Sequence, residues 1–161
     1  MKRLVTIAVA AILCLALAAP AAAADPWRPF KGGGTTVDTV AGPEGCPAGA
    51  GWRYSTAGAV TVAHLGRVWV EASHCSWMDG HFGPGVLTMT AANGDQLVFA
   101  DWGTFEIGMP LEGMTSYIDL HLSLIRGTGR FENARADIAG TGWGVIGSNI
   151  TTMHYSGEIS Y

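Results

Sequence analysis

The stretch "ASHCSWMDGHFGPG" at residues 72–85 sets Cys75 between His74 and His81, with Met78 and Asp79 beside them. Thiolate, imidazole, thioether and carboxylate groups are ligand types for copper or zinc, so the first question is whether they form a metal site. The answer turns on Cys75, which ligates a metal only as a thiolate. The two histidines are seven positions apart, looser than the usual zinc spacings. The expectation is a solvated loop that holds no metal and no cofactor.

The compartment bears on the same question. Lys2 and Arg3 precede an apolar run from Leu4 to about Ala19, and Ala22-Ala23-Ala24 offers a small-residue cleavage site before Asp25. This is the three-part pattern of a secretory signal peptide over residues 1–24, with an apolar run shorter than the ~20 residues a membrane helix needs. A secreted or periplasmic destination is expected, with no stable membrane span. Cys14 leaves with the leader, so Cys46 and Cys75 remain as the two cysteines of an exported chain. In an oxidising compartment they are expected to pair with each other, which takes the Cys75 sulfur away from any metal. Closing that loop contributes about 3 kcal/mol in the chain-entropy account.

Other residues invite chemistry and are weighed against simpler readings. Asp119, His121 and Ser123 share one face of a single strand; a serine triad draws its members together from different elements, so a row along one strand is a poor match. His64 and His154 are single histidines on half-polar strands, expected to be structural. Gly142-Trp143-Gly144-Val145-Ile146-Gly147 fits the dinucleotide fingerprint, but strand-like residues follow it instead of a helix. The six tryptophans, among them Trp69, Trp77, Trp102 and Trp143, suit either a ligand pocket or core and interface packing. The chain carries 9 basic and 13 acidic residues with no basic run, so it lacks the footprint of a nucleic-acid binder.

The elements that would position these groups are strands. The 23 glycines all follow the leader, and short alternating apolar runs are separated by Gly, Asn-Gly or Gly-Pro, with no sustained helical period. "GAVTVAHL" and "GRVWVEAS" read as strands meeting at Leu65-Gly66. "VLTMTAANGDQLVFADW" reads as a hairpin whose Asn93-Gly94 suits a type I′ turn, which sets Thr90 opposite Leu97 and Met89 opposite Val98. In that register both faces are partly apolar, and the second face predicts a homo-oligomer, with a trimer favoured. "SYIDLHLSLI" puts Ile118, Leu120, Leu122 and Leu124 on one face. The expected fold is all-β, an antiparallel up-and-down barrel of about eight strands over residues 51–161, preceded by an irregular lead-in over 25–50 with one strand near Thr36–Val40.

Three motifs carry a resemblance: "AHLGR" at 63–67, "TAANGD" at 90–95 and "GTGRFENA" at 127–134. In order and spacing they resemble a group of secreted, mostly bacterial small β proteins of unassigned function, and the last is similar to the strand-turn signature of allene oxide cyclase and dirigent barrels. The resemblance covers about residues 58–140 and implies an eight-stranded, typically trimeric barrel; a calycin-like barrel is the neighbouring alternative. Arg126 and Ala136 stand where that pattern usually has glycine. No catalytic residue of those enzymes falls on a motif-matched position here. Independently of the family, Phe131 is expected to plug one barrel end.

Three functions follow as expectations. The first is a small apolar-ligand-binding or self-associating module, with Trp69, Leu120 and Leu122 lining the lumen. The second is a cyclase- or dirigent-like enzyme acting on a reactive intermediate in the lumen, for which Asp119, His121, Asp101 and Glu106 are the candidate ionisable groups. The third is an outer-membrane barrel, ranked last because the strands read as shorter than the roughly ten residues such barrels use.

Overall fold

The computed structural model describes residues 25–108, 115–145 and 148–161, and the expected leader lies outside them. Eight antiparallel strands close into a barrel in sequence order. They are β1 (Arg28–Ala41), β2 (Trp52–Val62), β3 (Gly66–Ser76), β4 (His81–Ala91), β5 (Gln96–Gly108), β6 (Thr115–Gly127), β7 (Arg135–Val145) and β8 (Ile150–Ser160), with one 3₁₀ turn at Gly129–Phe131. Pairing of β1 with both β2 and β8 closes the ring and leaves no edge strand exposed.

The irregular lead-in expected over 25–50 is corrected: residues 28–41 are a full barrel strand. Gly32-Gly33-Gly34 reads poorly as strand because glycine weakens strand interiors. Here it permits close approach, since a Cβ on Gly32 would fall 2.2 Å from the Thr61 carbonyl oxygen. The irregular segment contracts to the β1–β2 connection.

The hairpin register also differs by one residue. Thr90 pairs with Gln96, Met89 with Leu97 and Leu87 with Phe99. Ala91 and Asp95 close a three-residue loop with Gly94 at φ +90, while Asn93 keeps negative φ and bonds Asp95 through its side chain. That is a type I turn with a left-handed glycine, not type I′. A one-residue slip exchanges faces. Leu87, Met89, Leu97 and Phe99 all point inward and are buried, while Thr88, Thr90 and Gln96 face out. The outer face carries Val86, Val98, Ala100 and Trp102 beside these polar residues, with Val86 and Trp102 49% and 42% exposed, so it stays partly apolar with a different set of residues from the one the turn predicted.

The barrel is filled at one end and hollow at the other. Around the β2–β3, β4–β5 and β6–β7 turns, Phe30, Val62, Met89, Leu97, Phe99 and Phe131 are 0–1% exposed, and Phe131 meets Tyr161 edge-on at 4.9 Å. Burying each such side chain contributes about 1.5–3 kcal/mol. At the other end β7 turns Gly140, Gly142 and Gly144 inward on alternate positions; Leu120, Tyr155 and Met153 pack over the first two, and Gly144 lines the open space.

The strands run 11 to 14 residues, so the short-strand expectation does not hold. Face polarity is what distinguishes this barrel from a transmembrane one. Lys31, Arg67, Glu71, Asp119 and Asp137 are exposed on the outer face, and the inner face is apolar, the reverse of an outer-membrane barrel. No helix among the described residues is long and apolar enough to cross a membrane.

Candidate functional site

The hollow end, on the side of the β1–β2 and β3–β4 connections, holds a cavity of about 440 Å³. Its apolar wall includes Val70, Leu87, Phe105, Ile118, Leu120 and Met153. Each is placed by strand alternation, which sends every second side chain inward.

The same alternation carries polar groups into the lumen. Along β3 the inward series Val68, Val70, Ala72 continues to His74, and along β5 the series Leu97, Phe99 continues to Asp101. The two meet: His74 Nδ1 lies 2.9 Å from Asp101 Oδ2. Asp101 is 1% exposed, and its Oδ1 is buried with no hydrogen-bond partner among the described residues. Gly85, paired with Asp101 across the ladder, makes room for this couple, because a Cβ there would fall 2.5 Å from His74 Cβ and 2.6 Å from Asp101 Oδ1. The His74 ring packs between Phe82 at 4.5 Å and Tyr54 at 6.0 Å. Its Nε2 makes no hydrogen bond among the described residues.

Nearer the mouth, β1 supplies Asp38. Thr56 donates to its Oδ1 at 2.8 Å, and the Thr151 hydroxyl donates to its Oδ2. Burial, and then the charge of Asp38, push the Tyr54 hydroxyl above its ordinary pKa. Tyr155, deeper in the lumen, is raised further for the same kind of reason, burial first and the charge of Asp101 second. The Trp52 indole N–H, which acts the other way on the Tyr54 hydroxyl, is buried with no well-aligned hydrogen bond among the described residues. The cavity is therefore an apolar chamber with one acidic, aromatic-flanked stripe running across β1, β2, β3 and β5.

The expected site residues divide. Asp101 and Leu120 line the cavity. Leu122 is buried in the core but does not line the cavity. Trp69 is 48% exposed on the outer face, because it alternates with the inward Val68 and Val70. Asp119, His121 and Glu106 are exposed outside, with the His121 ring stacked on Trp102 at 5.9 Å. These four are corrected as lumen residues. His74, Asp38, Tyr54 and Tyr155 were missed, although counting by twos from Val68 or Leu97 reaches His74 and Asp101.

The 72–85 stretch is likewise not one loop. β3 runs to Ser76, β4 starts at His81, and the turn between them is four residues long. His74 points into the lumen, Cys75 is bonded to Cys46, and His81 pairs outside with Asp79 and stacks on Trp77. No three potential ligands converge among the described residues. The disulfide ties the β1–β2 connection to the end of β3, at the cavity mouth, and is of the kind that persists in extracellular or periplasmic compartments.

Comparison with protein families, with curated proteins and with solved structures found no match to this chain.

Proposed function

We propose that this is an exported barrel that binds a small, largely apolar molecule in its lumen. The observation that carries the reading is the 440 Å³ chamber, walled by apolar side chains beside a few polar groups. A chamber of that size suits one small ligand of an eight-stranded barrel. The test is titration of the disulfide-bonded mature protein with prodan, a neutral fluorophore whose ketone offers the Trp52 N–H an acceptor. Saturable one-to-one binding is expected, abolished by Ala72→Trp, which fills the lumen, and unaffected by Trp69→Ala on the outer face. Absence of saturable binding overturns the reading.

A second reading is favoured by one observation, the His74–Asp101 couple. A carboxylate that engages Nδ1 leaves Nε2 to accept or return a proton, the arrangement of a general base in an apolar site. A cyclase- or dirigent-like enzyme of the kind the sequence resembles would use such a group on a reactive intermediate. Turnover of a bound compound that disappears in His74→Gln while binding persists supports it.

Self-association, as a trimer, now rests on Trp69, Trp102 and Trp143, each 42–48% exposed on the outer face of alternate strands. Light scattering of the purified protein decides it.

A further inference from the structure

We infer that the lumen selects an organic cation, an amine whose ammonium head meets the acidic stripe and whose apolar body fills the chamber. The inference deepens the binding reading above and rests on it. Two observations lead to it.

The first is charge. The described residues lining the cavity include two carboxylates, Asp38 and Asp101, and no lysine or arginine. Asp38 has both oxygens engaged by threonine hydroxyls, which are neutral donors and leave its charge uncompensated. Asp101 is 1% exposed with one oxygen lacking any donor among the described residues. A buried carboxylate is costly until it is fully hydrogen-bonded or faces a positive charge, and in a low-dielectric chamber that attraction acts without direct contact. An anionic ligand would meet repulsion from both groups.

The second is the hydrogen-bonding sense of His74 Nε2 on the deep wall. An ionised carboxylate only accepts, so opposite an Asp101 carboxylate the donor of the 2.9 Å bond is His74 Nδ1. In the neutral ring Nε2 then presents a lone pair, and it has no partner among the described residues. The site asks for a donor. An alkylammonium is both donor and cation, and the flanking rings of Tyr54 and Phe82 add faces that attract positive charge. The opposite wall, with Leu120 and Met153, takes the hydrocarbon.

The test uses the disulfide-bonded mature protein and three isosteric probes in calorimetric titrations: 2-(1-naphthyl)ethylamine, 2-(1-naphthyl)ethanol and 1-naphthylacetate. The amine is expected to bind about tenfold tighter than the alcohol, and the carboxylate weakest. In Asp101→Asn the side-chain amide donates to Nδ1 and reverses the tautomer, so the amine should fall to the level of the alcohol while alcohol binding persists. Equal binding of amine and alcohol in the unaltered protein, or tightest binding of the carboxylate, overturns the cation inference and leaves lumen binding standing. If none of the three binds and prodan also fails, the binding reading falls with it. The comparison in the unaltered protein decides the matter even where Asp101→Asn does not fold.

Discussion

At the scale of single residues the couple of His74 and Asp101 dominates. Asp101 keeps one partner in a buried wall, so removing that partner should leave an uncompensated carboxylate. His74→Phe is expected to cost about 3–5 kcal/mol in urea unfolding, and the double change His74→Phe with Asp101→Leu to recover most of it. Tyr155 gives a pH prediction. Its folded pKa is raised above the ordinary tyrosine value, so above that value the unfolded chain releases a proton that the barrel retains. Its contribution is full below about pH 10 and is lost as pH climbs beyond it. The urea midpoint should therefore fall between pH 9 and pH 11, and fall less in Tyr155→Phe.

At the scale of elements the β4–β5 register decides what faces the lumen. The observed register makes Phe99→Ala a loss of about 3–5 kcal/mol, and Ala100→Ser close to neutral, by denaturant unfolding. Comparable losses at both positions would indicate the slipped pairing. On β7 a methyl at Gly142 would fall 2.3 Å from Met153 Sδ and 2.5 Å from the Thr152 carbonyl oxygen, whereas at Gly140 its contacts are 3.2–3.4 Å. Gly140→Ala, at a position covered by Leu120 and Tyr155 and away from the cavity, is expected to fold and to keep prodan binding. Gly142→Ala should be the more destabilising of the two, by thermal melting.

For the whole molecule, closure and the disulfide contribute in different ways. All eight strands are paired on both sides, so reduction of Cys46–Cys75 should leave the barrel assembled while lowering its stability by about 3 kcal/mol. Circular dichroism in reductant should show the strand signal retained, with a lower denaturant midpoint. Because the bridge pins the β1–β2 connection at the mouth, reduction should also speed release of a bound probe in stopped-flow displacement.

Much of this protein was legible before any coordinates. Alternation and turn residues are local, and they were enough for an all-β chain of about eight strands, for the inward row Ile118, Leu120, Leu122 and for Phe131 as the plug, while the leader and the count of two remaining cysteines were enough for the Cys46–Cys75 pairing. Three things waited for the tertiary structure. Gly32–Gly34 became strand only because neighbouring backbones press against it, a contact no local propensity records. The hairpin slipped by one residue because Asn93 bonds Asp95 locally instead of adopting positive φ, and a period of two turns a single slip into an exchange of faces. His74 and Asp101 stand 27 positions apart, and only barrel closure, by stacking β3, β4 and β5 around one lumen, brings their side chains to 2.9 Å.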